Sequence, residues 1–546
     1  MRPTSRGFML GLAVAVACWL SFGGLGTRDV TRKAESRLAE TSQEMLASGD
    51  WVVPTFGGKI RLEKPPLMYW VIAAVSAPFG RVTEVTAMFP IALSGLSLVL
   101  ITMAWGSQLG GPRLGAFAGL ALATMAGFYI KGHHIEAEMT LALFVSLAMW
   151  LWARRWSGVS RSPVELALAL VSLALAFLTK GPPALVFPVV TFGSLAVLGW
   201  RKPDLRSRAN LWIALACALS IASILPWALA VAALQPQAFG EWWEEIFRKR
   251  LSEDSSHGEP LLHYVTHLLP LLLPWLLLVP MAVRSLRPPR WSRDWAPVIA
   301  WAVMGFVAFS LFGGKRWYYL LPIFPPVALL AARGLDAWIE APAGRLTRAT
   351  TGTILVLSGV MALGAPGFAL WSALTFDLPL IAPLLWSLLT FALVVVFMLL
   401  VRRAERARAA WALLLAVSAL WVTYRLTVWP MENRDKSTEA LARVIRETVG
   451  EEEPLWVFQT HATEMRFYLG RPVSELDSGA ELLSQLRADA PRPLWLIIDS
   501  EDTEDLEGFA WSLAAEEIDG RPWEDFDFAL VQVTGSVSRE SSDHRG

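Results

Sequence analysis

Cysteine is nearly absent from this sequence, since only Cys18 and Cys217 occur among 546 residues. Both lie inside apolar stretches, so they do not form the framework of paired cysteines that holds small secreted domains together. Net charge is absent as well, because 48 Lys and Arg balance 48 Asp and Glu. A neutral chain lacks the basic surface that nucleic acid binding requires. These absences argue against a disulfide scaffold and against a nucleic-acid-binding protein. The sequence also shows no internal repeat, which argues against a solenoid.

Apolar residues dominate what is present. They make up 54% of the chain, which includes 27 Trp and has a mean hydropathy of +0.44. Soluble domains contain roughly 45–50% apolar residues. Long apolar runs recur, for example at 166–178 and 384–401, and about 20 such residues cross a bilayer core of roughly 30 Å. The composition therefore predicts a polytopic α-helical membrane protein.

The hydropathy pattern predicts about thirteen transmembrane helices. They are expected near 7–26, 84–107, 114–131, 139–153, 163–179, 182–200, 209–231, 261–283, 295–312, 319–333, 349–372, 380–401 and 409–429. The first run follows Arg2 and Arg6 and resembles a signal peptide. We expect it to be an uncleaved anchor, because many spans follow and no small-residue cleavage site is clear.

Lysine and arginine in the short loops predict the orientation. If Arg2 and Arg6 are cytoplasmic, alternation along the chain places basic residues in six further cytoplasmic loops, as the positive-inside rule requires. This assignment holds only if residues 65–80 do not cross the membrane. At roughly 14–16 residues that segment is short for a span, so we expect an interfacial or re-entrant helix.

Two outer loops, 27–64 and 232–260, are basic although their side of the membrane should be poor in Lys and Arg. This excess indicates an anionic ligand at the membrane surface, with contact to lipid headgroups as the alternative. The first loop predicts a helix from Thr31 to Ser48, capped by Thr31 and ended by Gly49. Its apolar face, with Leu38, Met45 and Leu46, is suited to lying on the membrane.

A short hairpin turning at Gly57-Gly58 is expected after that helix. The composition then changes near Met431, where apolar spans stop and acidic runs begin. Strands at PLWVF, PLWLIID and FALVQV and helices near 437–449 and 479–487 are typical of a small α/β domain. The chain is therefore expected to divide into a membrane domain, 1–430, and an outer α/β domain, 431–546.

Polar side chains near the membrane are costly and are therefore functional candidates. The set expected on the outer side is Glu35, Arg37, Glu40, Glu63, Lys64, His133, His134, Glu136, Glu138, Lys180, His257, Lys315, Arg316, Tyr318 and Tyr319. Together they offer acids, bases, cations and groups that bind phosphate. Simpler roles remain open: His133 and His134 as surface residues, His257 as an ordinary loop histidine, Lys315-Arg316 as lipid anchors, and Glu63-Lys64 as a solvated pair.

The run ESRLAETSQEMLASGDWVVPTFGGKIRLEKPPLMYW, residues 35–70, resembles the first outer loop of the GT-C glycosyltransferases. The similarity is to the lipid A aminoarabinose transferases and to bacterial relatives of protein O-mannosyltransferases. It extends to TKGPPAL, FRKRLSEDSSHGEP and KRWYYLLPIFPP. The resemblance implies a multi-pass protein of a bacterial inner membrane with its active site facing the periplasm. It further implies inverting transfer of a sugar from a polyprenyl-phosphate donor to a lipid A, glycan or protein acceptor.

The resemblance also assigns roles to residues of this chain. The catalytic candidates are Glu35 and Glu138. The candidates for binding the donor phosphate are Arg37, Lys64, Lys180, Lys315 and Tyr319. The candidates for holding a divalent metal ion, either zinc or magnesium or manganese, are Glu63 and His257.

The chemistry of the implied reaction explains these residue types. A phosphate leaving group needs cations or a metal rather than an acid, and an acceptor hydroxyl needs a carboxylate as base. One position departs from the family, whose first loop usually begins Asp-Glu, because this chain has Ala34-Glu35. We therefore expect Glu35 to replace the missing Asp. The alternatives are a donor-binding relative without activity, and a lipid or lipid-linked sugar transporter or flippase.

Overall fold

The computed structural model describes most of the chain. The described residues are 3–198, 203–237, 239–240, 260, 262–286, 294–312, 315–342, 344–450, 453–459, 463–471, 473–489, 492–523 and 528–536. They divide into two compact units. The first, here the helical unit, comprises 1–25, 62–71 and 85–429, and the second, here the loop-tail unit, comprises 26–61, 72–84 and 430–546.

Helices account for most of the structure. In chain order they are α1 (Pro3–Phe22), α2 (Lys33–Ser48), α3 (Leu67–Ser76), α4 (Glu84–Gly110), α5 (Pro112–Ala123), α6 (Ala126–Lys131), α7 (Glu138–Trp156), α8 (Pro163–Lys180), α9 (Pro183–Val197), α10 (Pro203–Leu234), α11 (His263–Leu268), α12 (Val279–Ser285), α13 (Ala296–Leu311), α14 (Phe324–Glu340), α15 (Arg345–Phe376), α16 (Ile381–Arg402), α17 (Arg406–Lys436), α18 (Glu439–Thr448), α19 (Thr463–Leu469) and α20 (Gly479–Asp489). Short 3₁₀ helices include Ala77–Phe79 and Trp317–Ile323.

Within the described residues, seven helices are long and apolar enough to cross a membrane, or eight if one bent pair counts as a span. The bent pair runs from His263 to Ser285 and turns by 91°. Helix α3, which the sequence predicted to be too short, has ten residues and rises only about 15 Å, half of a bilayer core. The chain is thus a multi-span helical membrane protein, and the count of thirteen crossings stays a prediction.

Helix α14 lies at the centre of the helical unit. It packs against α5, α12 and α13, and Phe324, Leu329 and Trp338 are almost fully buried along its length. Gly334 permits the close approach of the 3₁₀ helix Trp275–Leu278, because a Cβ there would lie 2.0 Å from the Leu278 carbonyl oxygen. A helix that is buried on all sides is a fixed support for residues at both of its ends.

The C-terminal part of the loop-tail unit contains a mixed five-stranded sheet. The strands are β3 (Leu455–Phe458), β4 (Ser474–Leu476), β5 (Leu494–Asp499), β6 (Phe509–Leu513) and β9 (Phe528–Ser536), and a separate pair is β7 (Glu517–Ile518) with β8 (Arg521–Pro522). Their order is β4-β3-β5-β9-β6, with β3, β4 and β5 parallel and β9 antiparallel to both of its neighbours. All three predicted strands are present. Whether 431–546 forms a domain of its own stays a prediction.

The first loop folds within the same unit as the tail. Helix α2 ends where predicted, at Gly49 with φ +72°, and the hairpin β1 (Thr55–Phe56) and β2 (Lys59–Ile60) turns at Gly57-Gly58. The predicted cap is wrong, because Arg32 occupies the N-cap position and the Thr31 hydroxyl instead accepts a hydrogen bond from Arg28. The apolar face of α2 is also not open to a membrane. Leu38 and Met45 are buried, and α2 packs against α19.

Candidate active site

Helices α7 and α8 form a hairpin whose open end carries an ion pair. Glu138 is the first residue of α7 and Lys180 is the last residue of α8, so the antiparallel helices bring them together. The Lys180 Nζ lies 2.5 Å from a Glu138 carboxylate oxygen, and both side chains are largely buried. The Tyr319 ring centroid lies 4.7 Å from the same Nζ. Three residues selected from the sequence therefore meet at one point.

A second ion pair lies beside the first. The Lys131 ammonium donates to the Glu136 carboxylate, and Lys131 is only 3% exposed. The Tyr318 ring stands between the two lysines, with its centroid 4.1 Å from the Lys131 Nζ and 5.5 Å from the Lys180 Nζ. Lys131 was not among the residues predicted from the sequence. A lysine that ends an apolar run on the side poor in basic residues was the signal that could have found it.

Lys64 belongs to the same electrostatic environment. The positive charges of Lys180, Lys131 and Lys64 all act on the Glu138 carboxylate. Lys64 is half-buried whereas the adjacent Glu63 is exposed. Lys315 is half-buried as well, two residues before the 3₁₀ helix that carries Tyr319. The helical unit thus gathers several cations and two carboxylates, which is suited to an anionic ligand.

The two histidines of this region are not surface residues, contrary to the sequence-based expectation. His133 and His134 are 3% and 4% exposed. The His133 Nδ1 is 2.8 Å from the Tyr129 carbonyl oxygen, and its ring packs against those of Tyr129 and Trp429. Aromatic neighbours on both sides explain why an imidazole is stable in this interior.

In the loop-tail unit, the Glu35 carboxylate is fully buried against an arginine. Arg28 donates from two nitrogens to the two oxygens of Glu35, at 2.8 and 3.0 Å. The Arg28 Nε donates to Glu432 at 3.2 Å. Such a two-point bond between guanidinium and carboxylate fixes the orientation of both groups. The Glu35 carboxylate is therefore engaged, while the neighbouring Ala34 is exposed.

One face of α2 carries buried polar atoms that have no hydrogen-bond partner within the described residues. They are the Arg37 Nε, one Glu40 carboxylate oxygen and the Thr41 hydroxyl. Positions three and four apart share a helix face. Burial, and secondly the charge of Glu44, raise the pKa of Glu40 to about 8, although Arg466 acts in the opposite direction. Within the described residues, this face therefore offers a donor on Arg37, an acceptor on Glu40 and a hydroxyl on Thr41 that can do either.

The structure does not test whether the two predicted metal ligands meet. His257 lies outside the described residues, and Glu63 is a single exposed carboxylate. The described part of the chain contains no group of three or more His, Cys, Asp or Glu side chains that could hold a metal ion. The described residues alone do not fit a metal, and no catalytic step is derived through one.

Comparisons with known proteins identify the fold and the family of this chain. A family profile described as dolichyl-phosphate-mannose-protein mannosyltransferase matches residues 63–227. The crystal structure of ArnT from Cupriavidus metallidurans bound to undecaprenyl phosphate superposes with a TM-score of 0.75 at 22% identity, covering 96% of this chain and 97% of that one. An apo oligosaccharyltransferase from Archaeoglobus fulgidus gives a TM-score of 0.51 at 12% identity, covering 92% of this chain and 70% of that one. These likenesses establish a GT-C fold.

Two curated relatives are both described as undecaprenyl phosphate-alpha-4-amino-4-deoxy-L-arabinose arabinosyl transferases. The protein from Edwardsiella ictaluri is 34% identical over 305 residues, which is 55% of this chain and 54% of that protein. The protein from Aeromonas salmonicida is 30% identical over 382 residues, 64% of this chain and 69% of that protein. The match therefore spans about half the length of the first and more than two thirds of the second. At this identity and coverage, the chain belongs to the family of undecaprenyl phosphate-aminoarabinose arabinosyl transferases.

Proposed function

We propose that this chain is an inverting glycosyltransferase that takes a sugar from an undecaprenyl-phosphate donor, 4-amino-4-deoxy-L-arabinose in the first instance. The donor class follows the names of the relatives. The acceptor is a hydroxyl or phosphate of lipid A, another glycan or a protein. The observation that carries the proposal is the cluster of two buried lysine–carboxylate pairs around Tyr318.

The cluster matches the charge changes of this reaction. The bond from the anomeric carbon to the phosphate oxygen breaks, and the phosphate leaves with the bonding electrons as an anion. Lys180 and Lys131 are suited to stabilise that charge because they are fixed before the donor arrives. Lys64 adds a third positive charge near Glu138. Arg37, Lys315 and Tyr319 remain proposed as further contacts of the donor phosphate.

A carboxylate must take the proton from an acceptor hydroxyl while its oxygen attacks the sugar from the opposite face. Glu138 and Glu35 are the two candidates. Glu138 already bonds Lys180, so a leaving phosphate that attracts Lys180 would release one carboxylate oxygen for the acceptor. Glu35 would have to leave Arg28 to act. We therefore favour Glu138, and Glu35 is the second candidate.

The test is mass spectrometry of envelope lipids and glycoproteins from a deletion strain complemented with variants. Glu138→Gln is expected to lower product formation by roughly 10²–10⁴-fold, the usual contribution of a general base. Glu165→Gln is the matched control, because Glu165 pairs with Arg154 at 3.0 Å at the opposite end of the same α7–α8 hairpin. It should retain product. An active Glu138→Gln protein, with product lost in Glu35→Gln, would transfer the role to Glu35.

A non-catalytic relative that only binds the donor is the second candidate function. It is favoured by Ala34 at the family's usual Asp position and by the engagement of Glu35 with Arg28. In the same strain, product formed by Ala34→Asp but not by the natural chain would support it. Product formed by the natural chain would exclude it.

We also propose that any metal ion is held by Glu63 and His257 with ligands from the substrate. Carboxylate and imidazole together suit zinc, whereas magnesium and manganese prefer oxygen ligands. Glu63→Gln and His257→Ala are each expected to lower the metal content of the purified protein, measured by elemental analysis. The two losses should not add, because either one dismantles the same site. Unchanged metal content in both variants would contradict the assignment.

The site is proposed to face the periplasm. The support is the distribution of Lys and Arg in the short loops, which assigns the residue 27–64 loop to the outer side.

A further inference from the structure

The helical unit contains a cavity of about 290 Å³ at the end opposite to the lysine–carboxylate cluster. Its lining includes the start of α5, the last turns of α14, the end of α12 and the residue before α13. Tyr319 lies just before the other end of α14. The 17 residues of α14 separate its two ends by about 25 Å. The cavity therefore belongs to the other membrane interface and is independent of the proposed transfer reaction.

Charges of both signs line this cavity. The Arg113 Nε donates to an Asp336 oxygen at 2.7 Å, and an Arg113 terminal nitrogen donates to a Glu340 oxygen at 2.8 Å. Each carboxylate has a second oxygen that Arg113 does not engage. Arg333 also lines the cavity, and its positive charge acts on the Asp336 carboxylate without a hydrogen bond or salt bridge to any residue that the structure describes. The lining thus combines an available cation with available carboxylate oxygens.

We propose that this cavity binds the headgroup of a phospholipid that carries both a phosphodiester and a primary ammonium, as phosphatidylethanolamine does. Arg333 binds the phosphodiester. The open oxygens of Asp336 and Glu340 accept hydrogen bonds from the ammonium, whose three N–H donors suit two carboxylates.

Size, charge and position each favour this ligand. A volume of about 290 Å³ is at the lower limit of ligand cavities, which are usually about 300–1,000 Å³, so it admits a headgroup but not acyl chains. A purely anionic headgroup would meet the carboxylate of Asp336, which is only 4% exposed. Trp295 lines the same cavity, and tryptophan is enriched at the headgroup level of membrane proteins.

Native mass spectrometry of the purified full chain in mixed micelles tests the proposal. The micelles contain equal amounts of phosphatidylethanolamine, phosphatidylcholine and phosphatidylglycerol. The natural chain should retain phosphatidylethanolamine about tenfold over both others, the factor that about 1.4 kcal/mol of binding free energy produces. The choline headgroup has no N–H to donate to the carboxylates, and the glycerol headgroup has no positive charge to pair with them.

Arg333→Gln should lower the retention of all three lipids, because each of them carries the phosphodiester that Arg333 binds, and it leaves both ion pairs of Arg113 intact. Arg348→Gln is the matched control, because Arg348 is exposed near the same end of the bundle and does not line the cavity. It should retain the preference. Equal retention of the three lipids by the natural chain overturns the proposal even if Arg333→Gln does not fold. Unchanged retention of phosphatidylethanolamine in Arg333→Gln overturns it as well.

Discussion

At the residue scale, three glutamates on α2 have the same chemistry and three different environments. Glu35 is bonded to Arg28 through both oxygens. Glu44 accepts hydrogen bonds from the Thr55 hydroxyl and from the Gly57 backbone N–H. Glu40 is 8% exposed and has one oxygen without a partner within the described residues. Glu40 is therefore expected to gain a proton near neutral pH, because that oxygen has no partner among the described residues to replace the water that the buried charge has lost.

Glu40 is expected to make stability depend on pH. Its pKa is raised to about 8 in the folded chain, above the ordinary value of 4.5 that an unfolded chain would show. Between these values the folded state binds more protons than the unfolded state, so stability falls as pH rises from about 4.5 to about 8. Glu40→Gln mimics the protonated form, and its thermal midpoint should exceed that of the natural chain by several degrees at pH 9 but not at pH 5.

Glu447→Gln is the control for that measurement, because Glu447 is exposed on α18. It should keep the pH dependence of the natural chain. If Glu40→Gln instead shows the same fall in midpoint between pH 5 and pH 9, Glu40 is not the group that titrates.

At the element scale, the β1–β2 hairpin is held at its turn and at its side. Glu44 binds the turn, and the Phe56 ring lies 5.7 Å from the guanidinium carbons of both Arg61 and Arg466. Arg466 is itself fixed, because it donates to the Val473 carbonyl oxygen at 3.1 Å and to Glu475 at 2.7 Å. The hairpin is thus joined to the C-terminal sheet by contacts that a short, isolated two-stranded ribbon lacks.

Alanine substitutions at the two turn glycines are expected to distinguish the cost of backbone strain from the cost of a steric clash with Arg466. Gly57 and Gly58 have φ values of +60° and +74°, so alanine at either costs about 1–2 kcal/mol in backbone strain. A Cβ at Gly57 would also lie 2.6 Å from an Arg466 nitrogen, whereas nothing lies within 4 Å of one at Gly58. Gly57→Ala should therefore destabilise the chain by roughly a further 1–3 kcal/mol.

Thermal unfolding together with the rate of proteolysis in residues 50–61 measures this difference. Gly58→Ala is the matched control for backbone strain alone. Equal effects of the two substitutions would show that Arg466 moves aside without cost, and that it does not hold the hairpin.

At the scale of the whole molecule, the first loop and the tail fold together although some 400 residues separate them. Within the loop-tail unit, the Val30 N–H donates to the Tyr468 hydroxyl at 2.7 Å. Lys59 pairs with Glu475 at 2.6 Å, and the backbone N–H of Asp29 donates to the Asn433 side chain at 3.0 Å. Contacts of this kind require both segments to be on the same side of the membrane.

Single cysteines in the first loop and in the tail are therefore expected to show the same accessibility when they are labelled in intact cells. With the two natural cysteines replaced, Ser48→Cys and Ser500→Cys should both react with an impermeant thiol reagent, if this side is the periplasm. Ser160→Cys, in the loop between α7 and α8, should be protected. Reaction of only one of the first two would contradict the shared side, and protection of both with reaction at 160 would reverse the orientation.

Features that depend on local chemistry could be predicted from the order of the residues alone. Apolar runs specified where the membrane helices lie, because burial in lipid requires a continuous apolar stretch. Gly49 and the pair Gly57-Gly58 specified a helix end and a turn, because their backbone conformations are strained for other residues. The three C-terminal strands followed from short apolar, β-branched and aromatic runs. The resemblance in residues 35–70 indicated the family, because it rests on an ordered series of residues.

Which polar groups meet depends on how segments distant in the sequence pack together. No local pattern could show that Glu35 bonds Arg28, that the Thr31 hydroxyl is used by Arg28 rather than as a helix cap, or that Lys131 shares a tyrosine with Lys180. A charged side chain near a membrane is stable only with partners, and those partners come from segments distant in the sequence. The roles of these groups depend on which partner each one has, and the packing of the helices determines that choice.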